Sequence, residues 1–64
     1  MKIMMKAMNH IREHHPNANL VRAEYKDGMF QAVIFDDIGH INIKAEMVDN
    51  LIFISIEELK VDKT

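Results

Sequence analysis

Apolar residues recur over the first fifteen positions at helical spacing: Ile3, Met4, Ala7, Met8 and Ile11 share one stripe, with Lys2, Lys6, Asn9, His10 and Glu13 opposite. The pattern predicts a helix over residues 2–15. Pro16 stops it, because proline disfavours helical backbone at His15 and has no amide hydrogen to donate, and Asn17 and Asn19 suit the turn beyond.

From Leu20 the period changes to two. Leu20 to Lys26 alternates, Asp27-Gly28 is a strong hairpin signal, and Met29 to Phe35 returns. With Asp27-Gly28 as a two-residue loop, Tyr25 faces Phe30, Ala23 faces Ala32 and Val21 faces Ile34, so apolar side chains gather on one side. A second reversal at Asp36-Asp37-Ile38-Gly39 sets Ile34 opposite Ile41, Ala32 opposite Ile43 and Phe30 opposite Ala45. A third at Asp49-Asn50 sets Met47 opposite Ile52, Ala45 opposite Ile54 and Ile43 opposite Ile56.

Three turns thus agree on one apolar face, and local turn chemistry supports the same fold as the binary pattern. The expected class is α+β: one domain, residues 1–64, with the N-terminal helix packed on one face of a four-stranded antiparallel meander. Beyond it, Ser55-Ile56-Glu57-Glu58 has the form of a capping box. Two outcomes stay open there: a short C-terminal helical turn anchored by Leu59 and Val61, or a fifth short strand around residues 60–62.

The other face of the meander is not cleanly polar. Arg22, Glu24, Lys26, Gln31, His40, Asn42, Lys44, Glu46 and Ser55 suit water, but Leu20, Met29, Val33, Phe35, Leu51 and Phe53 fall on the same side. An antiparallel sheet that leaves one face in water normally alternates to polar residues there, and contiguous exposed apolar side chains mark a partner surface. The expected interaction surface comprises Val33, Phe35, Leu51 and Phe53, joined by Leu20.

Length sharpens that expectation. Sixty-four residues bury only about 60% of the surface of the unfolded chain, so self-association would add stability that the domain lacks alone. The chain has no cysteine, which removes disulfide frameworks, thiolate metal sites and cysteine nucleophiles and points to a reducing, cytoplasmic setting. Lys6 and the polar run Asn9 to Asn17 interrupt the apolar start, so neither a signal peptide nor a membrane span is expected. Eight Lys and Arg stand against ten Asp and Glu with no block of either sign, and no basic stripe is present to neutralise phosphates.

Candidate chemistry is sparse. His10-Ile11-Arg12-Glu13-His14 matches the inverted zinc-protease pattern, in which two histidines one helical turn apart bind metal and a glutamate acts as base. Such an enzyme also needs a further ligand, a cleft and a larger scaffold, so His14 and His15 are expected to occupy the last helical turn, where partial positive charge on a side chain is favourable, with His10 solvated. Asp36, Asp37 and His40 are expected to serve their turn rather than an ion. Glu57 and Glu58 are neighbours whose side chains point apart. Gly28 and Gly39 are spent on turns, leaving no phosphate-cradling loop. No catalytic residue, metal or cofactor is expected.

The order of helix, meander and Leu51-Ile-Phe-Ile-Ser-Ile-Glu-Glu-Leu-Lys-Val61 resembles the Sm-like small barrels, whose last strands are joined by a short helical turn. The resemblance spans Val21 to Val61 and departs from that pattern at Ala32, where a bending glycine would be expected. It implies an alternative: a Sm/SH3-like barrel with an N-terminal helix that assembles into a ring and binds single-stranded RNA. The leading expectation is a non-catalytic interaction or regulatory module, homodimeric through the outer sheet face. Its expected partner is itself or another protein, with no nucleic acid, membrane or small-molecule substrate.

Overall fold

A computed structural model describes residues 2–48 and 53–61. Helix α1 (Lys2–His14) leads into four strands, β1 (Asn19–Lys26), β2 (Met29–Asp36), β3 (Gly39–Val48) and β4 (Phe53–Val61). They form an antiparallel meander in the order β1-β2-β3-β4, with α1 packed on one face. The helix stops as Pro16 requires. The His15 amide donates to the Ile11 carbonyl at 2.7 Å, the Ala18 amide donates to the His15 carbonyl at 3.1 Å, and the chain turns into β1.

The first two hairpins follow from their turn residues. Asp27 and Gly28 have φ of 54° and 77°, the pair of left-handed residues whose twist matches that of the flanking strands. In the second, Asp36 pairs with Gly39, and Asp36 Oδ1 accepts a hydrogen bond from the Ile38 amide at 2.9 Å. An aspartate bonding its own backbone two residues on stabilises the reversal locally.

The core lies between α1 and the middle of the sheet. Ile3, Ala7 and Ile11 meet Phe30, Ala32 and Ile34 of β2 and Ile41, Ile43 and Ala45 of β3, while Met8, Met47, Ile54 and Ile56 pack at its margin. Ile34 and Ile43 have no exposed surface, and the alanines at 7, 32 and 45 let the helix backbone approach the sheet closely. Met4, expected on the buried stripe, lies at its edge and is exposed. The helix covers β3 with β2 and β4 to either side; β1 lies beyond its reach. Ala23 and Tyr25 therefore face inward in the expected register, opposite Ala32 and Phe30, yet stay exposed.

Four expectations need correction. Val21 does not face Ile34: it is the extra residue of a β-bulge, and Leu20 takes its place opposite Ile34. The bulge moves Leu20 to the helix side of the sheet, so it leaves the outer face on which the alternation had put it.

The second correction is the β3–β4 register. Met47 pairs with Ile54, Ala45 with Ile56 and Ile43 with Glu58, two residues further along β4 than expected. An even slip keeps every side chain on its face, so the binary pattern alone cannot distinguish the two registers. The Asp49-Asn50 reversal and Leu51 lie outside the described residues.

Third, Ser55 to Glu58 is strand, and β4 runs on through Lys60 and Val61, replacing both C-terminal alternatives. Pairing with the ten-residue β3 gives this segment a continuous ladder, and Ile54 and Ile56 of the extended chain pack at the core margin. Fourth, the sheet is open, with β1 paired only to β2 and β4 only to β3, so the chain does not form the closed barrel that the Sm-like resemblance implied.

Candidate interaction surface

Residues directly opposite in an antiparallel ladder project from the same face, so the register maps the side of the sheet away from α1 row by row. One row reads Phe35, His40, Val61 and the next Val33, Asn42, Leu59, from β2, β3 and β4 respectively. Phe35, Leu59 and Val61 are 45%, 64% and 45% exposed, and Val33 is half-buried. The Phe35 and His40 rings stand 4.7 Å apart between centroids. These six positions form a contiguous patch: apolar on β2 and β4, with two polar side chains down the middle.

Asn42 is the unusual member. Its Oδ1 is buried and has no hydrogen-bond partner. It borders a cavity of about 90 Å³ shared with Gln31, Lys44, Glu57 and Leu59.

The charges around the patch cancel. Arg22, Lys26 and Lys44 project from the same face as Glu24, Glu46 and Glu57, and Lys44 Nζ lies 3.7 Å from Glu57 Oε1. Among the described residues, three cations and three anions are interspersed on this face.

Of the residues expected to form the surface, Val33 and Phe35 are in the patch. Phe53 is on the outer face and 58% exposed, but it pairs with Val48 at the opposite end of β4, about 26 Å from Val61 at strand rise. Leu20 is half-exposed on the other side of the sheet, beside Tyr25 and Ala23. Leu59 and Val61 were missed because their segment matched a helix start. The signal that identifies them is the alternation Ile54, Ile56 against Phe53, Leu59, Val61.

On the helix side, the end of α1 carries a polar cluster. Glu58 Oε2 accepts hydrogen bonds from His10 Nε2 at 2.6 Å and His15 Nε2 at 2.9 Å, and His15 Nδ1 stands 3.5 Å from Asp36 Oδ2. An ionised carboxylate only accepts, so both Nε2 atoms carry hydrogen. Burial pushes the Glu58 carboxyl up, but the hydrogen bonds from His10 and His15 and their charges outweigh it and hold the group below its ordinary 4.5. The cluster ties the helix end to β2 and β4, where α1 has run out of apolar side chains.

The His-x-x-Glu-His stretch of α1 is engaged with the sheet and with itself. His10 turns to Glu58, its ring lies 4.4 Å from that of His14, and no group of three or more ligating side chains among the described residues is arranged to hold an ion. Asp36 faces the helix side and His40 the outer face, so they do not converge. Among the described residues no helix is long and apolar enough to cross a membrane. In comparisons with protein-family models, curated proteins and solved structures, nothing matches the chain.

Proposed function

We propose that this chain is a small interaction module, without a catalytic step of its own, that forms a homodimer through the outer face of its sheet. The observation that carries the reading is the contiguous patch of Val33, Phe35, Leu59 and Val61 on the face that α1 leaves uncovered. Burying one such side chain removes roughly 1.5–3 kcal/mol of exposure cost, a large fraction of the stability of so short a chain.

A second copy is the occupant favoured by charge and size. A surface of one sign repels its own copy, whereas the described residues of this face set three cations against three anions. With longer extents of 37 and 23 Å, the molecule reaches the roughly 800 Å² that each partner of a standard interface buries only when nearly the whole outer face, and not the six-residue patch alone, is covered. His10, His15 and Glu58 are engaged in joining helix to sheet.

Sedimentation equilibrium of the wild type beside Leu59→Asp and Phe53→Asp tests this. The wild type and Phe53→Asp are expected to be dimers and Leu59→Asp a monomer, with circular dichroism showing that each is folded. A monomeric wild type contradicts the proposal, as does a Leu59→Asp dimer of undiminished affinity. Cosedimentation with single-stranded RNA would favour the nucleic-acid alternative.

A further inference from the structure

We infer that β4 pairs antiparallel with β4 of a second copy about a two-fold axis at Ile56, joining two sheets edge to edge. This contact is separate from the outer-face dimer, because it uses the rim of the sheet and leaves the face open. The two rims differ. β1 is interrupted by the bulge at Val21, whereas β4 runs beside β3 for nine residues without a register shift. Among the described residues no strand lies on its other side, and an uninterrupted edge is a template for a further strand.

Pairing within one continuous sheet sets helix-side residues opposite helix-side residues, so the axis passes through a residue, and side-chain chemistry selects which. Centred on Glu57, Glu58 or Lys60, the pairing puts like charges directly opposite. Centred on Ser55, it sets Phe53 against Glu57, and centred on Leu59 it is limited to residues 57–61. Centred on Ile56, it spans residues 53–59 with no like pair opposite. On the outer side Phe53, 58% exposed, then meets Leu59 of the second copy, 64% exposed. Ser55 meets Glu57, which Lys44 of its own chain accompanies at 3.7 Å. On the helix side, the half-buried Ile56 meets its own copy.

Charge on the helix side selects the same register. Lys2 and Lys6, one turn apart on α1, line an open cavity of about 480 Å³ with Phe53 and Ile54 at the start of β4. The Ile56-centred pairing brings Glu58 of the second copy opposite Ile54, beside those two lysines. Each α1 lies over its own β3, so the two helices stand three strand spacings apart, about 14 Å. Helices of about 10 Å diameter leave room there for the lysine side chains. One added ladder buries far less than a standard interface, so the edge contact forms at higher concentration than the outer-face dimer.

The chain has no cysteine, so a single introduced one reports the axis. Ile56→Cys places two thiols on facing residues about 4.5–5.5 Å apart at Cα, within disulfide reach. Those of Ile54→Cys stand about 13 Å apart along the strands. Both positions are on the helix side, where a pairing of outer faces cannot join them. In concentrated, mildly oxidising solution, Ile56→Cys is expected to form a covalent dimer at least about tenfold faster than Ile54→Cys. Adding Phe53→Asp or Lys6→Glu to Ile56→Cys is expected to slow the cross-link at least about tenfold, with circular dichroism showing that each variant is folded. Equal rates for the two cysteine variants, or a rate that neither added substitution changes, overturn the edge pairing. A wild type that is monomeric when dilute, with the Ile56→Cys cross-link still forming, overturns the outer-face dimer alone. A dimeric wild type without the cross-link overturns the edge pairing alone.

Discussion

His15 and Glu58, 43 residues apart in the chain, meet through a 2.9 Å hydrogen bond that fastens the end of α1 to the edge strand β4. The residue after Glu58 projects from the opposite face, so the contact that holds β4 on the helix side also fixes Leu59 in the outer patch.

That link is pH-dependent in a defined direction. The carboxyl of Glu58 is held below 4.5 in the folded chain, so its contribution is present above that value and is lost as pH falls through the lowered one. Glu58 is about a third exposed, which limits the contribution to less than about 1 kcal/mol. Thermal melts of wild type and Glu58→Gln are expected to differ by a few degrees in mildly acid buffer and to converge well below pH 4.5. A gap that widens on acidification would contradict the assignment.

Ile43 lies on the inner strand under α1 with no exposed surface. Ile43→Ala is expected to cost about 2–5 kcal/mol, enough to leave this short chain largely unfolded, as chemical denaturation would report. A cost below that range would mean that the helix does not pack where described.

At Gly28 the backbone has φ of 77°, and an added Cβ would meet nothing within 4 Å. Gly28→Ala is therefore expected to cost about 1–2 kcal/mol from backbone conformation alone. Denaturant titration with an unchanged m-value would separate this loss from a change in the fold.

The bulge at Val21 breaks the ladder of an edge strand, a feature that discourages edge-to-edge pairing. Deleting Val21 leaves Leu20 and Arg22 to pair with Ile34 and Val33 without interruption. The variant is expected to keep its circular dichroism spectrum while aggregating faster, as light scattering would measure.

Much of this architecture is legible in the residues because the turn signals are short and unambiguous. Asp27-Gly28 and Asp36 to Gly39 specify their loops, and from them the pairings of Phe30 and Ala32 with both neighbouring strands and of Ile34 with Ile41 follow without tertiary information. What the pattern cannot supply is any shift that preserves its period. The two-residue slip of β4 leaves Ile54 and Ile56 on their face while moving Glu58 opposite Ile43, and the bulge at Val21 has no marker in residue type. The patch was legible at Val33 and Phe35 for the same reason that the core was. Leu59 and Val61 were hidden by Ser55-Ile56-Glu57-Glu58, a cap sequence outweighed by a ten-residue neighbour offering a ladder.

The proposed dimer is tested most directly by sedimentation equilibrium of wild type beside Leu59→Asp. The wild type is expected at twice the mass of its 7.5 kDa chain and the variant at that mass, with both retaining the same circular dichroism. A wild type that sediments as a single chain at every concentration would contradict the account.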